Sequence, residues 1–330
     1  MQRIGIVGAG AWGTALALTA RCAGRDVVLW ARDPALAEEI NARRENRPYL
    51  PDVTLGPAIR VSPEPAELTP CDVLLLAIPA QHLRAVSAGL AEHITEKQPL
   101  IVCSKGIEQT SLKLMTEVLA ETLPGRPLAV LSGPNFAAEV ARGLPAAATL
   151  AAEDKALAER LAAALGSKTF RPYISPDTVG AQVGGAVKNV IAIACGVVAG
   201  RALGDNARAA LITRGLAEVM RLGRAKGANP ETLMGLSGLG DLTLTCTNTL
   251  SRNYSLGQAL GEGHALKDIM AARRSVAEGV FSAQAVVALA QNLGVEMPIS
   301  QGVDAILNKG AGVDETIEAL LARPFKTETA

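Results

Sequence analysis

The chain predicts an α/β protein in two parts: a doubly wound, Rossmann-type parallel sheet over residues 1–178, then an all-α domain over residues 179–330. Three observations carry this. Through the first half, short apolar runs alternate with amphipathic helical segments, as βαβ units do. The apolar run at residues 4–7 passes straight into Gly8-Ala9-Gly10-Ala11-Trp12-Gly13, and an Ala/Leu-rich helical pattern follows. Beyond residues 175–179 the β-type runs almost cease, leaving long Ala/Leu/Gly-rich helical segments broken by Gly, Asn and Pro.

Taken in order, the candidate strands lie at residues 3–7, 26–31, 72–78, 100–103, 128–131 and 145–151, with a further strand near 168–171 closing the sheet. Helical patterns fall between them, for example at residues 11–23, 111–123 and 154–165. The rhythm changes near residues 172–180, which sets the expected domain boundary.

The glycine turn is the first chemical signal. A strand, a tight turn and a helix N-terminus aim backbone N–H groups and a positive dipole end at a pyrophosphate. Gly8 permits the turn, Gly10 lets phosphates approach the backbone, and Gly13 lets helix and strand pack closely. The second strand ends in Ala31-Arg32-Asp33. Ala31 stands where an NAD enzyme usually carries the acid for the ribose 2′-OH, and Arg32 follows it, which favours NADP. The other reading leaves Arg32 solvated with Asp33-Pro34 capping the next helix. An inward Asp33 would admit NAD as well.

Bulk composition narrows the classes. A chain of 330 residues suits two domains, and 49% apolar with 19% charged residues is globular rather than disordered. Thirty-two basic residues balance 32 acidic ones, and no basic run exceeds a pair, so nothing favours nucleic acid or an anionic membrane surface. Five scattered cysteines without CxxC spacing read as buried thiols in a reducing cytoplasm, not as disulfides or a metal site. The chain begins on a strand rather than a signal-peptide pattern. The longest apolar stretch, residues 179–200, carries Gln182, Lys188 and Asn189, which argues against a membrane span.

That same stretch is the second chemical signal. A lysine among apolar residues on all helical faces is desolvated, which brings its pKa towards proton-transfer range. Gly180, Gly184 and Lys188 share one face, so Lys188 would lean over a bare surface where a ligand could lie. Alternatively the glycines serve close helix packing and Lys188 snorkels at a crossing. Reducing a ketone by hydride leaves an alkoxide that needs a proton, and a lysine of lowered pKa supplies one. Asp241, on the Gly-hinged turn SGLGD, offers the carboxylate to hold it; an ordinary turn or cap aspartate is the other reading. Ser251 reads as an N-cap, leaving Arg252 and Asn253 beside free N–H groups, a favourable place for phosphate.

Together these segments resemble the bacterial NAD(P)-dependent sn-glycerol-3-phosphate dehydrogenase family across essentially the whole chain. GAGAWGTALA (8–17), the Cys103-Ser104-Lys105-Gly106-Ile107 turn, SGPNFA (132–137), GGAVKNVIAIA (184–194), SGLGDLTLTC (237–246), SRN (251–253) and VAEG (276–279) fall in that family's order. The resemblance implies reversible reduction of dihydroxyacetone phosphate to glycerol 3-phosphate, an entry to phospholipid synthesis. It implies Lys188 as acid/base and Lys105 at the substrate beside the cofactor. Gly133, Asn135, Asn189, Asp241, Thr245, Ser251 and Asn253 surround the substrate, with Arg252 on its phosphate. Cofactor contacts are implied at Gly8, Gly10, Ala11, Trp12, Gly13, Arg32, Lys105, Ala137, Arg252, Val276 and Glu278. Two positions depart from the family pattern. Ala11 replaces a frequent Ser, removing a hydroxyl but no backbone donor, and Asn135 replaces the Ser of SGPSFA.

The rival expectations are a β-hydroxyacid dehydrogenase of similar architecture and a non-catalytic NADPH-sensing module. The first has no need of Arg252 for a phosphate; the second has no need of Lys188, Asp241 and Arg252 together. The Ala/Gly-rich helical half is compatible with a homodimer.

Overall fold

The computed structural model describes residues 1–272, 278–325 and 327–328. Its strands are β1 (Arg3–Val7), β2 (Asp26–Trp30), β3 (Glu45–Asn46), β4 (Leu50–Thr54), β5 (Ile59–Ser62), β6 (Val73–Leu76), β7 (Leu100–Val102), β8 (Leu128–Ser132), β9 (Ala146–Ala151) and β10 (Phe170–Ser175). Helices α1 (Ala11–Cys22), α2 (Pro34–Arg43), α3 (Leu83–Leu90), α4 (Met115–Thr122), α5 (Ala137–Ala141) and α6 (Lys155–Leu165) lie among them.

Eight strands form one sheet in the order β10-β9-β8-β7-β6-β1-β2-β5. The six from β5 to β8 run parallel and follow the doubly wound order, so the chain reverses direction between β1 and β6. The loops leaving these two strands part there, and a crevice opens at their carboxyl ends. Continuous apolar runs make these strands because both faces are covered. Ile4, Ile6, Val73 and Leu75 enter the core on one face, while Val7, Leu74 and Leu76 enter the core on the other.

The sheet departs from the sequence expectation in three ways. β9 pairs antiparallel to β8, and β10 runs parallel to β9, so the sheet is mixed rather than parallel throughout. The strand expected near 168–171 lies at Phe170–Ser175. The edge strand β5 and the β3–β4 hairpin are not among the expected strands, because β5 is four residues and β3 only two. The helix expected from residue 111 starts at Met115: Leu112 sits at φ 59° and an Ile107–Leu114 bridge first folds the chain back.

From Thr178 on, the regular elements among the described residues are helices: α7 (Thr178–Gly200), α8 (Asp205–Ala225), α9 (Pro230–Leu233), a π-helical turn (Leu236–Gly240), α10 (Asp241–Cys246), α11 (Arg252–Gly261), α12 (Leu266–Ala271), α13 (Glu278–Asn292), α14 (Pro298–Asn308) and α15 (Val313–Leu321). Helix α7 is long and apolar enough to cross a membrane, yet 78% of its most apolar stretch is buried within the protein. It is the axle of the helical half, and α11 lies almost backbone to backbone against it. A Cβ at Gly257 would stand 1.9 Å from the Ile193 carbonyl, and one at Gly196 would stand 2.0 Å from that of Tyr254. Only glycine on both sides permits that approach.

Candidate active site

The glycine turn sits in the crevice between β1 and β6. Gly8 has φ +108°, which an L side chain rarely adopts, and an added Cβ would meet the Ala77 carbonyl at 2.7 Å. At Gly13 it would stand 1.8 Å from the Gly8 carbonyl, so helix α1 packs directly onto the turn. At Gly10 it would meet none of the described residues within 4 Å. The middle glycine therefore faces open space while its two neighbours serve packing. Gly10 is the N-cap of α1 and offers no side chain to the first-turn N–H groups of Ala11, Trp12 and Gly13. The Trp12 Nε1–H is buried without a partner among the described residues. A donor-rich cradle lacking a Cβ fits the pyrophosphate of a dinucleotide.

At the end of β2, Arg32 is exposed, and the Asp33 carboxylate accepts the Ala35 N–H at 3.0 Å to cap α2. Asp33 is thus engaged by its own helix. Ala137 opens α5, which packs on α1 beside the turn.

The second constellation joins both halves. Lys188 is buried in α7, and its Nζ donates to Asp241 Oδ1 and to Thr245 Oγ1, the latter at 2.9 Å. Asp241 opens α10 fully buried, and Thr245, one turn on, returns its hydroxyl to the Asp241 carbonyl at 2.6 Å. Lys105 reaches the same carboxylate from the loop after β7. Its Nζ donates to Asp241 Oδ2 at 2.6 Å and to the Gly133 carbonyl at 3.0 Å. One carboxylate thus bridges two ammonium groups, one from the sheet and one from the helices. Burial lowers the Lys188 pKa from 10.5 to about 8; Asp241 opposes the shift and Lys105 adds to it.

Of the two readings of Gly180 and Gly184, the bare ligand surface fails and close packing holds, because protein fills the space beside both. A Cβ at Gly184 would lie 2.4 Å from the Ser237 carbonyl, and one at Gly180 would meet Asp177 and Thr232. These glycines admit the turn that delivers Asp241, so close packing is their role. The glycine that faces the site is Gly185, whose added Cβ would meet Ser132 Oγ at 2.9 Å and Lys105 Cγ at 3.3 Å. Its spacing of three from Lys188 on a helix was the available signal.

Around this centre, Asn189 accepts a bond from Asn253 Nδ2 at 2.9 Å, and Asn253 Oδ1 accepts the Gly279 N–H at 3.0 Å. Ser251 accepts the Tyr254 N–H at 3.2 Å as N-cap of α11, which leaves Arg252 exposed in the first turn. Asn135 donates to the Ala147 carbonyl at 3.1 Å while its Oδ1 is buried without a partner among the described residues, as is Ser132 Oγ. Glu278 opens α13 half-buried. Burial raises its pKa against the pull of Arg252, Lys105 and Lys188, so it belongs to the same charged cluster. Val276 lies outside the described residues.

A dinucleotide cradle at the sheet's switch point and a buried lysine–carboxylate pair, reached by Lys105 from the same end of the parallel sheet, define a nicotinamide-dependent dehydrogenase with a helical second domain. Comparison with known proteins gives the family. The model of the NAD-dependent glycerol-3-phosphate dehydrogenase N-terminus matches residues 3–158, and that of its C-terminus matches residues 177–318. Curated proteins named glycerol-3-phosphate dehydrogenase [NAD(P)+] from Parvibaculum lavamentivorans and Caulobacter vibrioides are 58% and 55% identical. Each alignment spans 99% of this chain, with 98% and 99% of those proteins covered respectively. A crystal structure of glycerol-3-phosphate dehydrogenase from Coxiella burnetii superposes with a TM-score of 0.94 at 39% identity, covering 98% of this chain and 99% of that one. The chain belongs to the NAD-dependent glycerol-3-phosphate dehydrogenase family.

Proposed function

We propose that this chain catalyses the reversible reduction of dihydroxyacetone phosphate to sn-glycerol 3-phosphate with NAD(P)H, favouring NADPH. The observation that carries the reading is the single Asp241 carboxylate shared by Lys105 and Lys188. When bound, the reduced nicotinamide supplies the hydride for the carbonyl carbon. The chain's own residues do the rest. Lys188, held by Asp241 and Thr245, gives a proton to the oxygen as it becomes an alkoxide, and takes it back in the reverse direction. A pKa near 8 leaves it charged near neutral pH yet able to release the proton. Lys105 adds a second positive charge at the developing oxyanion. Arg252, in the first turn of α11 beside its amide groups, grips the substrate phosphate and so positions the carbonyl. Asn189, Asn253, Asn135 and Gly133 complete the substrate walls.

In the same reading, Gly8, Gly10, Ala11, Trp12 and Gly13 hold the pyrophosphate, with Ala137 and Glu278 along the cofactor. Arg32 meets a 2′-phosphate, supported by its exposure and by the engagement of Asp33 in capping α2. The domains divide at 178/179. Four of the five unpaired thiols are buried as expected, while Cys22, at the end of α1, is exposed; the set suits a reducing cytoplasm, where the product serves phospholipid synthesis. The direct test mixes purified protein with NADPH and dihydroxyacetone phosphate and follows the loss of reduced-nicotinamide absorbance. No loss, with the protein folded, overturns the reading.

A further inference from the structure

Asn46 has no part in the roles given above and belongs to none of the sequence motifs. It is fully buried on β3, and its Nδ2 donates twice: to the Ala9 carbonyl at 2.9 Å and to Thr14 Oγ1 at 2.8 Å. Thr14 Oγ1 passes the bond on to the Gly10 carbonyl at 2.9 Å. These carbonyls belong to the two successive peptide units of the glycine turn, Ala9–Gly10 and Gly10–Ala11. In a planar trans peptide the C=O and the following N–H point in opposite directions. Asn46 draws the Ala9 carbonyl directly. The Gly10 carbonyl, which also accepts the Thr14 N–H at 2.9 Å as the first bond of α1, is held a second time by the Thr14 hydroxyl that Asn46 engages. The N–H groups of Gly10 and Ala11 therefore both point the other way. The helix's own ladder does not use them, because the first amides of a helix have no intrahelical acceptor.

We propose that Asn46 is a positioning residue of the dinucleotide site, aiming the Gly10 and Ala11 N–H groups at the pyrophosphate. The inference rests on the reading that this turn grips a dinucleotide. The residue type follows from the bonds it makes. Two oxygen acceptors need two donors on one small side chain, which a carboxamide supplies and a carboxylate does not. Aspartate here would set a negative oxygen against the Ala9 carbonyl and a charge beneath the phosphates. The β3–β4 hairpin delivers the residue: Asn46 pairs with Leu50, and Leu50 is anchored in the sheet's core.

The test measures NADPH affinity by calorimetry, and kcat at saturating NADPH, for the full chain and for Asn46→Asp, Thr14→Val and Thr14→Ser. Asn46→Asp is expected to weaken NADPH binding about tenfold or more, and Thr14→Val about threefold to tenfold, as lost hydrogen bonds to a buried group imply. Thr14→Ser, which keeps the relaying hydroxyl, stays within about twofold of the unmodified chain. The loss falls on affinity and on KM for NADPH, not on kcat. Failure of the unmodified chain to bind NADPH overturns the dinucleotide reading and this inference together. If the unmodified chain binds, unchanged affinity in folded Asn46→Asp overturns the positioning role alone. Should that variant not fold, unchanged affinity in Thr14→Val overturns the role instead. An affinity loss matched by an equal loss of kcat is general damage and also overturns it.

Discussion

Lys105 and Lys188 donate to opposite oxygens of one buried carboxylate, Asp241, although one lysine comes from the sheet and the other from the helical half. Two ammonium groups brought together raise each other's electrostatic cost, and Asp241 offsets it. The balance leaves Lys188 at about 8. Reduction needs Lys188 protonated and oxidation needs it neutral. With dihydroxyacetone phosphate, kcat/KM is therefore expected to fall as pH rises through about 8. With glycerol 3-phosphate it should rise through the same range. Since kcat/KM reports the free enzyme, its pH profile measured in both directions is the matching observable. Parallel limbs in the two directions would show that another group moves the proton.

Asp241→Asn removes the interaction that opposes burial, so the Lys188 pKa should move further down and the reduction limb should shift to lower pH. Loss of an oriented proton donor costs about 10²–10⁴-fold in rate, and Lys188→Ala is expected to fall in that range. NADPH affinity in Lys188→Ala should stay within about twofold, since the lysine's partners are Asp241 and Thr245 rather than the glycine cradle. Rate and affinity measured on the same preparation separate the two effects. Normal turnover by Lys188→Ala would falsify its assignment as the acid.

Arg252→Ala tests the substrate's phosphate. A charge-assisted contact at a helix start is worth more than a neutral one, so KM for dihydroxyacetone phosphate should rise about tenfold or more. Activity on unphosphorylated dihydroxyacetone should hardly change. Equal losses on both substrates would point to a β-hydroxyacid chemistry in which the arginine has no phosphate to hold.

Much of this arrangement can be read from residue order, and the remainder depends on topology. Strands β1 and β6 are legible because burial on both faces demands continuous apolar runs such as Ile4–Gly5–Ile6–Val7. The glycine turn is legible because each glycine answers a separate steric demand. A lysine inside an apolar helix stands out as a buried charge, and a buried charge needs a counter-charge. Which residues flank that pair is not legible. Lys105 reaches Asp241 only because β7 pairs with β8 and α7 packs at Gly185 against Ser132 and the Lys105 stem, a relation no local pattern encodes. Strand β5 escaped because four residues on a sheet edge carry too little period. The reversal at β9 escaped because a pattern of burial does not record strand direction. Gly184 and Gly185 are alike in sequence, and only the packing partners distinguish them: backbone at Ser237 for one, the stem of Lys105 for the other.

That distinction yields a prediction that separates fold from function at adjacent residues. Gly184→Ala drives a methyl to 2.4 Å from the Ser237 carbonyl, and backbone on both sides cannot yield cheaply. Such overpacking costs about 1–3 kcal/mol, so this variant should melt several degrees lower while its folded fraction still turns over. Gly185→Ala meets instead Ser132 Oγ and the flexible stem of Lys105, at 2.9 and 3.3 Å. These side chains can move, so the melting temperature should stay close to that of the unmodified chain. The movement displaces the Lys105 ammonium from Asp241 Oδ2 and the Gly133 carbonyl, its two partners. A misplacement of this order should lower kcat/KM by about tenfold or more. Thermal melts and steady-state kinetics on the two variants, side by side, check the assignment. If Gly185→Ala loses stability and not activity, Lys105 does not depend on the space that glycine leaves.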